Sequence, residues 1–134
     1  MIGAEMSVPS DSTTMTNSHI LTAGDVVVVN LDPIKGTEQS GIRPALVISS
    51  IVMHEVSNRI VVCPITRNLT PWPTKILIPD GFKTQGMVLA DQVRSLDYEE
   101  WVLREIESLP SDFVTLVRSY VGRLLDLEVS GVSG

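Results

Sequence analysis

Short apolar runs rich in β-branched residues recur through most of this 134-residue chain, and they constrain its fold more than any other feature. Gly, Pro, Asn and Asp bound these runs, which is the pattern of strands separated by turns. The predicted strands cover residues 26–31, 45–50, 59–65, 75–78, 87–89, 92–95 and 102–107. Five or more short strands favour a mainly β fold, a small β-barrel, over alternating βα units. Pro64 predicts an edge or a bulge near the end of the third strand.

The last predicted element is a helix. After Pro110, apolar side chains follow the i, i+3, i+4, i+7 spacing of an amphipathic helix. They are Phe113, Leu116, Val117, Tyr120, Val121, Leu124 and Leu125. Pro110 and Asp112 suit its first turn, and Arg118 and Arg123 lie nearer its C-terminal end. We expect one face of this helix to pack on the barrel, and we predict one further helical turn around residues 97–101.

Both ends of the chain lack this periodicity. Residues 1–20 are rich in Ser, Thr and Met and predict a disordered N-terminal tail, in which Met15 is an alternative start. Residues 128–134 predict a flexible C-terminal tail. We therefore expect one folded domain over residues 21–127, which is long enough to bury a core.

The composition excludes several classes of protein. No apolar run approaches the roughly 20 residues of a membrane-spanning helix, and the N-terminus lacks the basic and apolar regions of a signal peptide. Cys63 is the only cysteine, so no internal disulfide can form, which suits a reducing cytoplasm. Because Cys63 lies within an apolar run, we expect a small buried hydrophobic residue and not a nucleophile.

The charge is unevenly distributed. The whole chain carries a net charge of −6, yet residues 33–96 hold seven Lys/Arg and four Asp/Glu. That segment is therefore net positive, and the remainder is strongly acidic. A local basic region leaves room for a phosphate-bearing partner despite the overall negative charge.

A polar loop joins the first two predicted strands and has the sequence Gly36-Thr37-Glu38-Gln39-Ser40-Gly41-Ile42-Arg43-Pro44. Loops held by rigid strands often carry chemistry. Arg43 offers a fixed fork of donors that can bind two phosphoryl oxygens. Taken by itself, however, Arg43 is more simply an exposed arginine at a strand edge.

The sequence contains none of the common metal or nucleotide motifs. It has no Gly-x-x-x-x-Gly-Lys-Ser/Thr loop, no His-Glu-x-x-His and no Cys/His cluster. Asp91 and Asp97 are not spaced like a recognisable metal site, His19 lies in the predicted tail, and His54 lies in a predicted loop. We expect no metal and no nucleotide cofactor.

Residues 24–48 resemble the start of the MazF/PemK family of toxin endoribonucleases. The shared features are an opening Gly-Asp, an Asp-Pro turn and then Gly-x-Glu-Gln-x-Gly-x-Arg-Pro. The strand that ends at Thr66 and the Asp-Gln-x-Arg-Ser segment within residues 86–96 are also similar, so the resemblance extends over about residues 24–127. It implies an SH3-like β-barrel with a C-terminal helix, usually assembled as a homodimer.

The resemblance also implies a chemistry. Arg43 and Thr66 match the family's catalytic pair, which cleaves RNA through attack of the 2′-OH on its own phosphate, leaving a 2′,3′-cyclic phosphate and a 5′-OH. Because a guanidinium keeps its proton at neutral pH, we favour electrostatic stabilisation over proton transfer for Arg43. Glu38 is the nearby carboxylate, and two roles are open to it: general base, or a residue that orients Arg43.

Other polar and aromatic residues are candidates for RNA binding. They are Lys35, Gln39, Arg67, Trp72, Asp91, Gln92 and Arg94. Trp72 lies between two prolines in a loop and could stack on a base or merely cover the end of the barrel. Gln39 could read a base or cap its loop. For Asp91, Gln92 and Arg94 an internal salt bridge is an equal alternative.

Together these observations predict the toxin of a type II toxin–antitoxin pair, a metal-independent and sequence-specific endoribonuclease acting on single-stranded RNA. Its partner would be an antitoxin with an acidic segment that occupies the RNA groove. One alternative is a non-catalytic toxin of the same fold that poisons a protein such as DNA gyrase. Another is a plain SH3-like interaction module, which would not need Glu38, Arg43 and Thr66 together.

Overall fold

A computed structural model describes residues 20–31 and 41–127. Its strands are β1 (Asp25–Asn30), β2 (Ile42–Val47), β3 (Arg59–Thr66), β4 (Lys75–Leu77), β5 (Met87–Leu89), β6 (Arg94–Asp97) and β7 (Val102–Ser108). Its helices are α1 (Ile51–Val56), α2 (Tyr98–Trp101) and α3 (Ser111–Leu124), and a 3₁₀ turn covers Ala90–Gln92. The predicted tails, except Ile20, lie outside the described residues. Among those residues, no helix is long and apolar enough to cross a bilayer.

The strands form an antiparallel sheet in the order β4-β5-β3-β2-β1-β7, and β6 also pairs with β3. The predicted mainly β fold with a C-terminal helix is confirmed. The closed barrel is not: within the described residues, β4 and β7 end the sheet without pairing with each other.

The central strands are buried on both faces, which explains their near-continuous apolar sequences. One face packs beneath α3, and its core includes Val26, Leu46, Cys63, Phe113 and Val117. The opposite face packs beside α2, and its core includes Val27, Ala45, Val47, Val62 and Leu96. Successive residues of β1, β2 and β3 therefore enter two different cores, so a shift of register by one residue would exchange them.

Pro64 lies in a central strand, which corrects the predicted edge or bulge. It pairs with Ala45 of β2 on one side of β3. On the other side, β6 pairs with Arg59 to Val62, and β5 pairs with Ile65 and Thr66. Pro64 falls between these two partners, where its missing N–H leaves no ladder hydrogen bond unmade.

Two strand boundaries differ from the prediction. β2 covers Ile42–Val47, whereas residues 45–50 were predicted. It ends at Val47 because the chain then turns into α1, whose first turn is capped by Ser50 accepting from the Val52 N–H at 3.0 Å. β6 begins later, because the preceding residues form the 3₁₀ turn. The predicted helical turn around residues 97–101 is confirmed as α2.

His54 lies in α1, not in a loop, and is buried. Its Nδ1 lies 2.5 Å from the carbonyl oxygen of Leu21, and its Nε2 lies 2.5 Å from Ser49 Oγ. Since a carbonyl can only accept, Nδ1 donates to the Leu21 carbonyl, and Nε2 forms a second hydrogen bond with Ser49 Oγ. Ser49 Oγ in turn accepts from the Val61 N–H at 2.9 Å. The ring therefore joins the segment at Leu21 to α1 and β3.

Cys63 is fully buried in the core under α3, as the sequence predicts. Burial, with a smaller contribution from the negative charge of Asp91, raises the pKa of its thiol to about 12. The reactive thiolate is therefore almost absent at neutral pH.

We expect the Cys63 thiol of the native protein to be inert toward Ellman's reagent at pH 8. In guanidinium chloride the same thiol is exposed, its pKa returns to the ordinary range, and it should react fully within minutes. The measurement is the release of thionitrobenzoate with time under both conditions. Equal rates in the native and unfolded protein would contradict the buried placement.

Candidate active site

Arg43 and Thr66 lie at the same end of β2 and β3 and line one cleft. β2 and β3 pair antiparallel with Ala45 opposite Pro64. This pairing ends at Ala45 and Pro64, and Arg43 and Thr66 each lie two residues beyond that pair on their own strands. Side chains two residues apart on a strand share a face. Both residues line one cleft of about 380 Å³. The structure therefore brings together the two residues that the sequence predicted as a catalytic pair.

Thr66 is the last residue of β3, and only 7% of its surface is exposed. Its Oγ1 accepts a hydrogen bond from the Asn68 N–H at 3.1 Å. A hydroxyl that accepts this bond can still donate its own hydrogen to a ligand. The bond thus fixes the hydroxyl without using its donor capacity.

The backbone of Thr66 is held from the other side by Gly86. A Cβ placed on Gly86 would lie 2.2 Å from the Thr66 carbonyl oxygen, and the φ of Gly86 is +127°. Only glycine adopts this backbone conformation and also allows so close an approach. The next residue, Met87, pairs with Thr66 in the β3–β5 ladder. The floor of the cleft is therefore closely packed.

Arg43 is half-buried on β2, opposite Val29 of β1. Its Nε is shielded from solvent, while its side chain contributes to the wall of the cleft. A guanidinium anchored in this way is restrained in direction, which is how a strand-borne arginine presents its terminal nitrogens to an anion. Ile42, 63% exposed, forms an apolar margin beside it.

A second cleft of about 280 Å³ adjoins the first, since Thr66 and Asn68 line both. Trp72, Asp91 and Gln92 contribute to its walls. These residues come from the loop 67–74 and from the 3₁₀ turn, which the fold brings to the same end of the sheet. The structure therefore unites three of the predicted RNA-binding residues beside Thr66.

The loop 67–74 is organised by side-chain hydrogen bonds. The Thr70 N–H donates to Asn68 Oδ1 at 2.9 Å, and Lys75 Nζ donates to the Thr70 carbonyl at 2.6 Å. Thr74 Oγ1 donates to Asp91 Oδ2 at 2.9 Å, tying the loop to the 3₁₀ turn. Trp72 stands on this scaffold with 64% of its surface exposed. It does not cover the end of the sheet but presents its ring to solvent.

The remaining predicted residues fall into three groups. Arg67 lines the first cleft. Arg94 lies on β6 opposite Val62, on the same face as Thr66, but it lines neither cleft. Lys35, Glu38 and Gln39 lie outside the described residues.

Sequence reasoning missed Asn68 and Gln85, both of which line the cleft that holds Arg43. Asn68 carried a usable signal, because an Asn two residues after a strand-ending Thr is typical of turns in which side chains bond the backbone. Gln85 carried none, because its place beside the cleft depends on long-range packing. Within residues 20–31 and 41–127, no group of three or more His, Cys, Asp or Glu could hold a metal ion.

Comparison with known proteins shows the family of the chain. Residues 22–125 match the family described as PemK-like, MazF-like toxin of type II toxin–antitoxin system. The endoribonuclease toxin MazF of Escherichia coli K12 is 33% identical over 82 residues, which is 61% of this chain and 73% of that protein. The endoribonuclease PemK of Escherichia coli is 31% identical over 105 residues, which is 75% of this chain and 77% of that protein.

Solved structures are similar to this chain as well. MazF from Deinococcus radiodurans is similar with a TM-score of 0.74 and 33% identity, covering 81% of this chain and 99% of that one. A MazE–MazF complex from the same organism is similar with a TM-score of 0.68 and 29% identity, covering 82% of this chain and 99% of that one. On this evidence, the chain belongs to the PemK-like, MazF-like family of toxins from type II toxin–antitoxin systems.

Proposed function

We propose that this chain is a sequence-specific endoribonuclease toxin that cleaves single-stranded RNA and so arrests translation. The observation that carries the proposal is the placement of Arg43 and Thr66 in one cleft. The activity of the named relatives, which are endoribonucleases, supports it. The pair suits phosphoryl chemistry because both side chains can donate hydrogen bonds to an anionic phosphate.

The reaction that we propose needs no metal ion, because the RNA supplies its own nucleophile. The 2′-oxygen forms a bond to phosphorus as its proton leaves, and the bond from phosphorus to the 5′-oxygen breaks as that oxygen gains a proton. The products are a 2′,3′-cyclic phosphate and a 5′-OH. Arg43 and Thr66 stabilise the charge that develops on the non-bridging oxygens, which requires donors already in place before the reaction.

The proton acceptor for the 2′-OH remains a prediction. Glu38 is the carboxylate that we propose here, either as the base or as the residue that orients Arg43. Each role needs the carboxylate in its ionised form. The two roles differ in consequence, since loss of a base alters the dependence of rate on pH, whereas loss of an orienting group weakens phosphate binding as well.

RNA binding, in this proposal, extends along both clefts. The phosphate at Arg43 and Thr66 lies where the clefts meet, so one neighbouring nucleotide faces Trp72 and the other faces Gln85. Trp72 offers its ring to a base, and Asp91 and Gln92 offer an acceptor and an amide to the edge of that base. The predicted RNA contacts also include Arg67, Arg94, Lys35 and Gln39.

We further propose that the toxin is a homodimer in the cytoplasm and is neutralised by an antitoxin. Solved MazE–MazF complexes of related proteins support the antitoxin partner. The cytoplasm is where translated RNA is found, and a single buried cysteine is compatible with that compartment. The antitoxin segment that we expect is acidic, because it would occupy a groove built to hold phosphates.

The purified protein should cut single-stranded RNA in excess EDTA and leave 5′-OH ends. The physical reason is that the nucleophile belongs to the substrate and the positive charge belongs to Arg43. Gel analysis of products, with and without kinase labelling of the new 5′ ends, provides the measurement. A strict need for Mg²⁺, or 5′-phosphate products, would refute the mechanism. Inhibition of gyrase without any RNA cleavage would favour the non-catalytic alternative.

Arg43→Ala should lower the single-turnover rate by roughly 10²–10³-fold, the usual cost of removing one transition-state donor. Arg43→Lys should recover little of this loss, because a point charge lacks the bidentate fork. Arg67→Lys is the matched control, since Arg67 lines the same cleft without a place in the chemistry. An Arg43→Ala variant as active as the wild type would remove this residue from the mechanism.

Trp72 and Arg67 should affect RNA binding in different ways. Trp72→Ala should change which RNA sequences are cut, whereas Trp72→Phe keeps an aromatic ring and should leave the cut sequences unchanged. Leu77→Ala is the control, because Leu77 is an exposed apolar residue outside both clefts. Arg67→Gln should weaken the binding of all RNA sequences alike, and it should reduce the slope of log affinity against log salt by about 0.7. Sequencing of cut ends and salt titration with a non-cleavable oligonucleotide measure the two effects. Unchanged cut sites in Trp72→Ala would exclude base stacking on this ring.

A further inference from the structure

The carboxylate of Glu107 holds the loop between β4 and β5. Glu107 lies on β7, where it pairs with Val26 of β1. Its Oε1 accepts the Lys83 N–H at 3.1 Å, and its Oε2 accepts the Thr84 N–H at 2.6 Å. Two adjacent backbone donors on one carboxylate form a short and directional contact. Thr84 itself is buried, so this part of the loop is fixed against the fold.

This contact joins the two ends of the open sheet. β7 lies at one end of the strand order and β4 at the other, and the described strands do not pair across that gap. The Glu107 carboxylate of β7 accepts from the backbone of the loop that follows β4, and so links these two ends of the strand order. The loop therefore depends for its position on a residue 23 positions away in the sequence.

The residues that follow the held loop form one wall of the active-site cleft. Gln85 lines the cleft beside Arg43 and Thr66. Gly86 lies against the Thr66 carbonyl, and its own carbonyl accepts the Ile78 N–H at 3.0 Å. Because Thr84, Gln85 and Gly86 are consecutive, a displacement of Thr84 would be transmitted directly to Thr66.

The charge state of Glu107 suits this role. Partial burial of its carboxyl group favours the neutral form, but hydrogen bonds from Thr84 and Lys83, with the positive charge of Lys83, outweigh that effect and lower its pKa. The group is therefore ionised at neutral pH. An ionised carboxylate makes stronger hydrogen bonds to N–H donors than a neutral amide does.

We propose that Glu107 is a positioning residue for RNA cleavage: its carboxylate holds the Lys83–Thr84 backbone so that Gln85 and Gly86 keep Thr66 aligned with the scissile phosphate. This inference rests on the proposed endoribonuclease function. Glu107 does not line either cleft and acts only through the loop. Small displacements at a reacting centre are enough to matter, since a shift of about 1 Å can lower a rate by roughly 10²-fold.

The first test compares Glu107→Gln with wild-type protein. The substitution preserves size but leaves one of the two N–H groups facing an amide donor. The single-turnover rate at saturating RNA should fall by roughly 10–100-fold, while the Kd for a non-cleavable oligonucleotide stays within about twofold. Glu100→Gln is the control, because Glu100 is an exposed carboxylate on α2. An unchanged rate in Glu107→Gln would overturn the proposal.

A double-mutant cycle with Thr66→Ala separates positioning from general destabilisation. If Glu107 acts through Thr66, its loss should cost little further rate once the Thr66 hydroxyl is gone. Amide exchange should rise at Thr84 and Gly86 in Glu107→Gln and remain unchanged in α3. Additive rate losses, or an equal rise of exchange in α3, would overturn the positioning role. Wild-type protein that does not cleave RNA would instead refute the proposed function itself.

Discussion

The antiparallel register between β2 and β3 is the constraint on which the site depends. Leu46 and Cys63 enter the core beneath α3, while Val47 and Val62 enter the core beside α2. Burial on both faces fixes this register, since a slip of one residue would exchange the two cores and leave each badly packed. The same pairing of β2 with β3 brings Arg43 and Thr66 into one cleft at the end of the two strands. Two hydrophobic cores thus determine the geometry of a polar pair that contributes to neither of them.

The cleft also depends on interactions that bring short, weak elements to the right place. β4 and β5 are each three residues long and could not hold a position alone. They are tied to the rest of the molecule by the β3–β5 ladder, by the Thr74–Asp91 hydrogen bond and by the Glu107 carboxylate. Polar contacts at the ends of the sheet therefore supply part of the order that a closed barrel obtains from its strand pairing.

Much of the fold could be predicted from the sequence, because the spacing of apolar residues and the presence of turn residues are local properties. The strands and α3 were predicted from them, and the boundaries of β2 and β6 were wrong where a cap or a 3₁₀ turn competed with the strand. Helix α1 was missed because six residues are too few for a 3.6-residue period to be recognised. Pro64 was assigned to an edge because the sequence does not reveal that β3 changes partner at that residue.

The candidate site was predictable only in part. The resemblance identified Arg43 and Thr66, and Trp72 was noticed because loop aromatics are rare in this chain. Gln85 and Glu107 were missed, because their importance arises from contacts between residues far apart in the sequence. No local sequence pattern indicates such contacts. Residues that support a site from a distance are thus harder to predict than those that line it.

The exposure of Trp72 has an optical consequence. The chain contains two tryptophans, and their surroundings differ. Trp72 stands in solvent at the rim of a cleft, whereas Trp101 packs against the core beside α2. Emission from the first responds to whatever occupies the cleft, and emission from the second responds to the integrity of the fold. In a Trp72→Phe variant only the second signal remains, so the protein carries separate intrinsic reporters of occupancy and of unfolding.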